Sequence, residues 1–278
     1  MLWHCYITGG SSGLGLALAI RLVKLGAHVS IVARNKKRLQ EALEKMEKIR
    51  QSPDQTPASY SFSVTESQSS AAALDAASEP HGGRCPDAIF LCAGGPVEGA
   101  KRMAKEDIQG KIIFISSFLG FISMVGFSSY ASGNFALRGL AETLCSEFLL
   151  YGITVHIFFP GNMLTPGLEA ENKIKPKIVL KLEETDSGQT AEHAAEGLLQ
   201  GIFSGDFHIT NELLGNIFRS STRGATPRNG VILDVIYSFF GWIGLPIWRR
   251  ITDSTVKGHQ EDHHTYLKET GLVVELSD

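Results

Sequence analysis

The first fifty residues alternate between short apolar runs and segments with helical periodicity. Residues 4–8 form an apolar run that ends in glycines, and the apolar positions of residues 16–27 recur at the spacing of one helix face. Residues 28–35 have the pattern of a second buried strand, and residues 36–50 that of an exposed helix with interleaved charges. This order predicts a strand, a tight turn, a helix, a second strand and a second helix.

The same alternation continues as far as residue 203. Further strands are predicted at residues 59–64, 87–95, 110–117 and 153–161, and helices at residues 69–78, 135–152 and 190–203. Strands that alternate with helices form a parallel sheet with helices on both faces. We therefore predict an α/β fold, a Rossmann-type doubly wound parallel sheet, in a single domain over residues 1–210. Residues 211–278 are predicted to form a C-terminal extension.

The most hydrophobic stretch of the chain, residues 231–248, lies in this extension and precedes a polar tail. As a helix it would reach about 27 Å, slightly less than a hydrocarbon core, and it contains Asp234 and Pro246. Arginines flank both ends, so positive charge favours neither orientation. We predict a re-entrant or interfacial membrane anchor. A buried C-terminal helix that packs on the domain, or that shapes the substrate entrance, is the alternative.

Composition and charge argue against several other classes. The chain has 278 residues, 43% of them hydrophobic, and a net charge of -3 without a dense Lys/Arg tract, so nucleic acid is not an expected partner. Four cysteines without a CxxC pair fit a reducing, cytosol-facing compartment. A strand that begins near residue 1 predicts no signal peptide. His259, His263 and His264 are interpreted as part of a solvated tail, and no metal is assigned.

A glycine motif, TGGSSGLG, directly follows the first strand and opens the first helix. Its fixed points are Gly9, Gly13 and Gly15, which permit a tight turn and let the backbone approach a pyrophosphate. The helix N-terminus adds unpaired N–H groups and a partial positive charge, and Ser11 and Ser12 can add hydroxyl donors. A nucleotide site is therefore predicted, and a glycine-rich turn without a ligand is the alternative.

The end of the second strand favours NADPH as the cofactor. An NAD-specific site would place an acid there for the ribose hydroxyls, whereas this chain has Ala33 followed by Arg34. Arg34 suits a 2′-phosphate. Arg38, one helical turn further on, can supply a second positive charge, although a solvated helix face explains it equally well.

Four features together resemble the short-chain dehydrogenase/reductase family: TGGSSGLG, LCAGG, ISS, and a tyrosine, Tyr130, thirteen residues after Ser117. More narrowly, HCYITGGSSGLGLALA, HVSIVARN, SSYAS with FALRGLAE, and FFPGNMLTPG resemble the 3-ketodihydrosphingosine reductases, particularly the fungal ones. The resemblance extends over most of the chain.

The resemblance implies NADPH-dependent reduction of the ketone of a long-chain keto sphingoid base, at the cytosolic face of the endoplasmic reticulum membrane. It implies that Tyr130 is the general acid and that Ser117 hydrogen-bonds the carbonyl oxygen as negative charge develops there, with Ser116 as the alternative donor. It also implies that Pro160, Gly161 and Thr165 close over the nicotinamide, that Ser63 and Val64 flank the adenine, and that Ala93 and Gly94 complete the cofactor site.

One departure from the family affects the catalytic set itself. The family has a lysine four residues after the tyrosine, which holds the nicotinamide ribose and lowers the tyrosine pKa, and this chain has Asn134 there. Asparagine can hydrogen-bond a ribose hydroxyl but brings no charge. A unit charge at ~4 Å is worth roughly 4 kcal/mol at an effective dielectric constant of ~20, so its loss predicts a rate lower by up to about a thousandfold.

A second departure lies between LCAGG and GKIIFISS, where the family has a long helix with a catalytic asparagine. Only residues 95–109 remain, and they contain no asparagine. A segment of this length can just connect two neighbouring parallel strands through a short helix at residues 98–109. Because the family tends to pair subunits through the missing helix, the usual dimer is not assumed, although an oligomer remains possible.

Three functions are compatible with these observations. The leading hypothesis is an NADPH-dependent reductase of 3-ketodihydrosphingosine, weakened by the missing lysine and asparagine. The second is a catalytically weak or inactive NADPH-binding pseudoenzyme of the same family. The third is a reductase of another carbonyl compound, because one fold hosts many chemistries.

Overall fold

Seven parallel strands form the centre of the computed structural model, which describes residues 3–93, 98–184 and 187–269. The strands are β1 His4–Thr8, β2 His28–Ala33, β3 Ala58–Ser61, β4 Ala88–Leu91, β5 Lys111–Ile115, β6 Thr154–Phe158 and β7 His208–Ile209. Their order across the sheet is β3-β2-β1-β4-β5-β6-β7. The order therefore reverses between β1 and β4, and the carboxyl ends of these strands frame the crevice where such sheets bind ligands.

Eleven α-helices in the described ranges connect or follow these strands. They are α1 Gly13–Lys24, α2 Lys36–Glu47, α3 Ser67–Ser78, α4 Glu98–Lys105, α5 Ser128–Glu147, α6 Pro166–Asn172, α7 Lys177–Glu183, α8 Ala191–Ser204, α9 Leu213–Thr222, α10 Val231–Gly258 and α11 Gln260–Glu269. The sequence pattern predicted neither β7 nor α6, α7 and α9.

Helices cover both faces of the sheet, as predicted. On one face, Ile7 and Ile31 pack in a fully buried cluster with Leu18 of α1 and Leu198 of α8. On the other face, a second buried cluster includes side chains from α3, α4, α5 and α9. Burial on both faces explains why the strands are almost continuously apolar rather than alternating. The doubly wound parallel α/β fold is confirmed.

The shortened crossover between β4 and β5 is completed by α4, an eight-residue helix. The two strands pair as direct neighbours, with Ala88 opposite Lys111. Met103 anchors the helix because its side chain is fully buried in the second cluster. Gly99 permits close packing, since a Cβ there would lie 2.3 Å from the Ile89 side chain. The predicted short helix is therefore present, although it ends at Lys105 rather than at residue 109.

The C-terminal apolar segment forms a longer helix than its hydrophobic pattern indicated. Helix α10 continues through the polar residues after 248 as far as Gly258, and α11 follows almost immediately. An ion pair one turn apart, Arg249 Nε to Asp253 at 2.9 Å, lies in this polar part. The polar tail is therefore helical as far as Glu269. Pairs of polar side chains one turn apart stabilise a helix whose surface is solvated.

A buried ion pair fastens the start of α10 to α9. Two guanidinium nitrogens of Arg219 contact the two carboxylate oxygens of Asp234 at 2.6 and 3.2 Å, and both residues are buried. Burial alone would raise the pKa of Asp234, but the hydrogen bond and charge of Arg219 outweigh it and hold that pKa below the ordinary value. Further along, the rings of Phe218 and Trp248 meet edge to face at 5.9 Å.

The remaining surface of α10 is exposed and strongly apolar. Its exposed large side chains are Val231, Ile232, Leu233, Val235, Ile236, Phe239, Phe240, Trp242, Ile243, Ile247 and Ile251. Among the residues that the structure describes, one helical segment, Val231–Lys268, is long and apolar enough to cross a membrane; an 18-residue window within it has a mean hydropathy of 1.7, and 11% of that window is buried. The helix therefore packs on the domain along one side, but it is not the buried helix of the alternative prediction, because an apolar side is left uncovered.

Candidate active site

The glycine motif forms a tight turn between β1 and α1. Gly9 and Gly13 have φ angles of +71° and +52°, which favour glycine. A Cβ on Gly9 would lie 2.8 Å from the Cβ of Ala93, and a Cβ on Gly15 would lie 2.5 Å from the Gly9 carbonyl oxygen. Backbone conformation therefore requires glycine at positions 9 and 13, and close packing requires it at positions 9 and 15. The result is an open backbone surface at the crevice beside β1.

The N-terminus of α1 opens at this turn and can receive an anion. Ser12 is the N-cap residue, and its exposed side chain makes no capping hydrogen bond to the helix. Ser11 is half-buried beside it. The first turn of α1 contains no acidic residue, so nothing there opposes the positive end of the helix dipole. The loop thus has the backbone donors, hydroxyls and charge that a pyrophosphate needs.

Two arginines follow β2, Arg34 directly and Arg38 in the first turn of α2. Arg34 and Arg38 are both exposed. Asn35 caps α2 by accepting a hydrogen bond of 3.0 Å from the Arg38 backbone N–H. Arg34 directly precedes this cap, and Arg38 lies in the first turn of the helix that the cap starts. The arrangement offers positive charge, rather than a carboxylate, to the adenosine end of a dinucleotide.

The predicted adenine-flanking residues follow β3. The side-chain oxygens of Ser63 and Thr65 are 2.8 Å apart, and Val64 is half-buried against the second core cluster. After β4, the Ala93 backbone N–H donates a hydrogen bond of 3.2 Å to the Thr8 hydroxyl. Gly94, which was also predicted to contact the cofactor, lies outside the described residues.

The two adjacent serines after β5 have different environments. Ser116 is buried, and its hydroxyl donates a hydrogen bond of 2.9 Å to the side-chain oxygen of Asn134. Ser117 is half-buried, and its hydroxyl oxygen accepts a hydrogen bond of 3.3 Å from the Leu119 backbone N–H as a helix cap. The Ser116 proton is therefore used inside the protein, whereas the contact of Ser117 uses only its oxygen.

Tyr130 and Asn134 lie one turn apart near the start of α5. The Tyr130 side chain is 54% exposed, and its ring centroid is 6.1 Å from that of Phe127. Asn134 is 9% exposed, and its amide nitrogen donates a hydrogen bond of 2.9 Å to the Tyr130 backbone carbonyl. The Asn134 amide thus links Ser116 to the first turn of α5, with both of its polar atoms in hydrogen bonds.

The loop after β6 joins the serine segment to the glycine turn. The Phe118 backbone N–H donates a hydrogen bond of 3.1 Å to the carbonyl of Pro160, which is buried. Thr165 caps α6 by accepting a hydrogen bond of 3.3 Å from Leu168, and a Cβ on Gly13 would be 3.6 Å from its methyl group. The predicted cofactor residues of the glycine turn and of this loop therefore meet at one crevice.

Two residues of this region were missed by sequence reasoning. Thr8 connects the ends of β1 and β4 through the hydrogen bond from Ala93, and its place immediately before Gly9 was the available signal. Glu212 lies against Gly161, with a carboxylate oxygen 2.7 Å from the position of a Cβ on that glycine. No local motif marks Glu212, because the contact joins two loops that are far apart in sequence.

Comparisons with known proteins agree with this geometry. The family model described as short chain dehydrogenase matches residues 4–108 and 95–175. A 3-ketodihydrosphingosine reductase of Cryptococcus neoformans is 38% identical over 98% of this chain and 89% of its own length. The 3-ketodihydrosphingosine reductase of Mus musculus is 30% identical over 81% of this chain and 75% of its own length.

A solved structure shows the same fold at low sequence identity. A short-chain dehydrogenase from Sphingobium yanoikuyae in complex with NADPH has a TM-score of 0.61 and 19% identity, covering 75% of this chain and 87% of that one. The glycine turn, the serine and tyrosine segments and the matched relatives thus point to one family. This chain belongs to the short-chain dehydrogenase/reductase family of nicotinamide-dependent oxidoreductases.

Proposed function

We propose that this protein reduces 3-ketodihydrosphingosine to dihydrosphingosine with NADPH, in sphingolipid synthesis. The observation that carries the proposal is the similarity to 3-ketodihydrosphingosine reductases over nearly the whole chain, at 38% identity for the Cryptococcus protein. The crevice supports it with the tight glycine turn, the open N-terminus of α1 and the adjacent serine hydroxyls. Arg34 and Arg38 at the end of β2 support NADPH over NADH, because they suit a 2′-phosphate.

The reaction adds a hydride to the ketone carbon and a proton to its oxygen. NADPH, when bound, supplies the hydride. Ser117 donates a hydrogen bond to the carbonyl oxygen, since its proton is not used by the contact with Leu119. Tyr130, exposed at the start of α5, transfers its phenolic proton to that oxygen as negative charge develops. Ser116 is the less suitable donor because its hydroxyl already donates a hydrogen bond to the side-chain oxygen of Asn134.

Asn134 reduces the rate but leaves the reaction type unchanged in this proposal. Its amide is engaged with Ser116 and with the Tyr130 backbone, so it positions the start of α5 rather than supplying charge to the phenol. The second candidate is an NADPH-binding protein without turnover. The observation in its favour is the uncharged Asn134 one turn after Tyr130. Both candidates require the cofactor site.

We propose that the exposed apolar side of α10 attaches the protein to the endoplasmic reticulum membrane, with the catalytic domain in the cytosol. The aromatic side chains Phe239, Phe240 and Trp242 on this side are 57%, 58% and 75% exposed. Aromatic residues favour the headgroup boundary of a bilayer. Because the opposite side of α10 packs on α9, the helix would lie along the interface. A long-chain lipid could then move between bilayer and crevice.

The test is NADPH binding by the purified chain, followed through nicotinamide fluorescence, and then the loss of NADPH absorbance on addition of 3-ketodihydrosphingosine. Binding followed by oxidation of one NADPH per ketone is the expected result. Binding without oxidation would favour the second candidate, and the absence of binding would contradict both.

A further inference from the structure

A carboxylate lies directly beside the loop that follows β6. Glu212 is the N-cap residue of α9, and its side chain makes no capping hydrogen bond to its own helix. A Cβ on Gly161 would lie 2.7 Å from one oxygen of this carboxylate and 3.2 Å from the other. The carboxylate therefore packs against the Gly161 backbone, and a larger residue at 161 would displace it.

This position is connected to the reacting serine through two contacts. The backbone N–H of Phe118, the residue after Ser117, is bound to the carbonyl of Pro160, the residue before Gly161. The Phe118 ring also touches α9, because a Cβ on Gly215 would lie 2.6 Å from it. Both the loop and the first turn of α9 thus contact the residue next to Ser117, so Glu212 lies at the catalytic end of the sheet.

A pair of amide side chains holds this arrangement. The Asn211 amide nitrogen donates a hydrogen bond of 2.5 Å to the side-chain oxygen of Gln189. The Gln189 backbone in turn binds the loop, with hydrogen bonds to Asn162 at 2.9 Å and from Leu164 at 2.8 Å. Asn211 precedes Glu212 directly, so this pair ties the start of α9 to the loop, and a backbone that is already held in place reduces the ordering cost of binding.

Exposed leucines adjoin this charge. Leu213 and Leu214 follow Glu212 directly and are 66% and 52% exposed, and Leu164 in the facing loop is 59% exposed. A negative charge next to apolar side chains matches an amphiphile with a cationic head and an alkyl chain. The substrate of the proposed reaction has this chemistry, because its ammonium group is on the carbon adjacent to the ketone.

We propose that Glu212 binds the ammonium group of the substrate and so selects 2-amino ketones over ketones without the amine. This inference rests on the proposed function, since it assigns a recognition residue to the same site. The inference requires that a substrate whose ketone oxygen is bound at Ser117 places its ammonium group towards the loop that Glu212 contacts. A charge-assisted hydrogen bond of this kind changes affinity by about 10- to 100-fold.

The experiment compares two ligands and four forms of the protein. The complex with NADPH is titrated, in mixed micelles, with dihydrosphingosine and with the same diol that has hydrogen in place of the amino group, and nicotinamide fluorescence reports binding. We expect the wild type to prefer the amine at least tenfold, and Glu212→Gln to lose that preference without a change in NADPH affinity. Glu212→Asp, which retains the charge, should retain part of the preference. Glu192→Gln, at an exposed carboxylate in the first turn of α8, is the matched control.

Equal affinity of the wild type for the two diols would overturn the role of Glu212, as would an unchanged amine preference in Glu212→Gln. If Glu212→Gln no longer binds NADPH, the amine preferences of the wild type and of Glu212→Asp are compared instead. Equal preferences in these two forms that do not change with salt concentration would also contradict an ion pair with this carboxylate. These readings do not depend on turnover. An amine-selective wild type that oxidises no NADPH would refute the proposed reduction while supporting the ammonium site.

Discussion

At the scale of single residues, the charge after β2 is predicted to select between the two nicotinamide cofactors. Replacement of Arg34 by Ala removes a cation that faces the 2′-phosphate in the proposed complex. We expect NADPH affinity to fall about 10- to 100-fold and NADH affinity to change little, because only NADPH has this phosphate. Fluorescence titrations with both cofactors measure the effect, with Lys37→Ala, another exposed cation near the start of α2, as the control. Equal losses for both cofactors would contradict this role of Arg34.

Asn134 offers a second prediction at this scale. Asn134→Lys restores a positive charge one turn after Tyr130, and we expect kcat to rise by up to about a thousandfold with little change in NADPH affinity. The replacement also breaks the hydrogen bond to Ser116, so some loss of thermal stability is expected. Asn134→Met, whose side chain is similar in length to that of lysine but uncharged, separates the effect of the added charge from that of the lost hydrogen bond. A similar gain in both variants would show that charge is not the cause.

At the scale of elements, the Arg219–Asp234 pair joins α9 to α10. Replacement of Arg219 by Met leaves the carboxylate of Asp234 buried without its partner, and we expect the free energy of unfolding to fall by about 3–5 kcal/mol. Urea denaturation measures the loss, and Arg219→Met combined with Asp234→Leu should recover part of it. The exposed pair Arg249–Asp253 serves as a comparison, because its disruption should cost less than about 1 kcal/mol. Similar losses of unfolding free energy for the two pairs would contradict a larger stabilising role of the buried pair.

The uncovered side of α10 provides a prediction of its own. Phe239→Glu with Trp242→Glu places two charges on this side, and we expect binding to phospholipid vesicles to fall at least tenfold, since the apolar area available for burial is reduced. Flotation with vesicles measures binding. NADPH titration should be unaffected because the change is remote from the glycine turn. Unaltered flotation would mean that another part of the chain carries the membrane contact.

At the scale of the whole molecule, buried histidines make stability depend on pH. Burial, with nearby positive charges or imidazoles, lowers the pKa of His4 and of His208 to about 3, and burial also lowers the pKa of His156. The unfolded chain binds protons near pH 6.5 that the folded chain excludes, so stability is greatest above that pH and declines as the pH falls towards 3. Between pH 7.5 and 5.5 we expect a loss of about 1 kcal/mol for each of His4 and His208.

Urea denaturation at these two pH values tests the dependence. His208→Asn should reduce the loss of unfolding free energy between the two pH values by about 1 kcal/mol. His264→Asn, in the exposed part of α11, is the control and should leave that loss unchanged. A slope unchanged by His208→Asn would show that this imidazole is not kept neutral by folding.

The strands, most long helices and the cofactor crevice of this protein could be predicted from sequence because their signals are local. Apolar runs, helical spacing and the glycine turn reflect interactions within a few residues, as the positive φ angles of Gly9 and Gly13 illustrate. The resemblance to a known family extended that prediction to Ser117 and Tyr130. The catalytic roles of these two residues remain predictions.

Only the tertiary structure decided which groups meet across the chain. Ser116 differs from its neighbour Ser117 because the side-chain oxygen of Asn134, on another element, accepts a hydrogen bond from the Ser116 hydroxyl. Glu212 acquires its position from contact with a loop fifty residues earlier, and no local pattern encodes such a contact. Likewise, hydrophobicity alone marked the segment that became α10, but the burial of Asp234 against Arg219 decided which side faces the domain. Sequence determined the elements and their chemistry, and packing determined their partners, because side-chain contacts between distant elements exist only once the sheet has assembled.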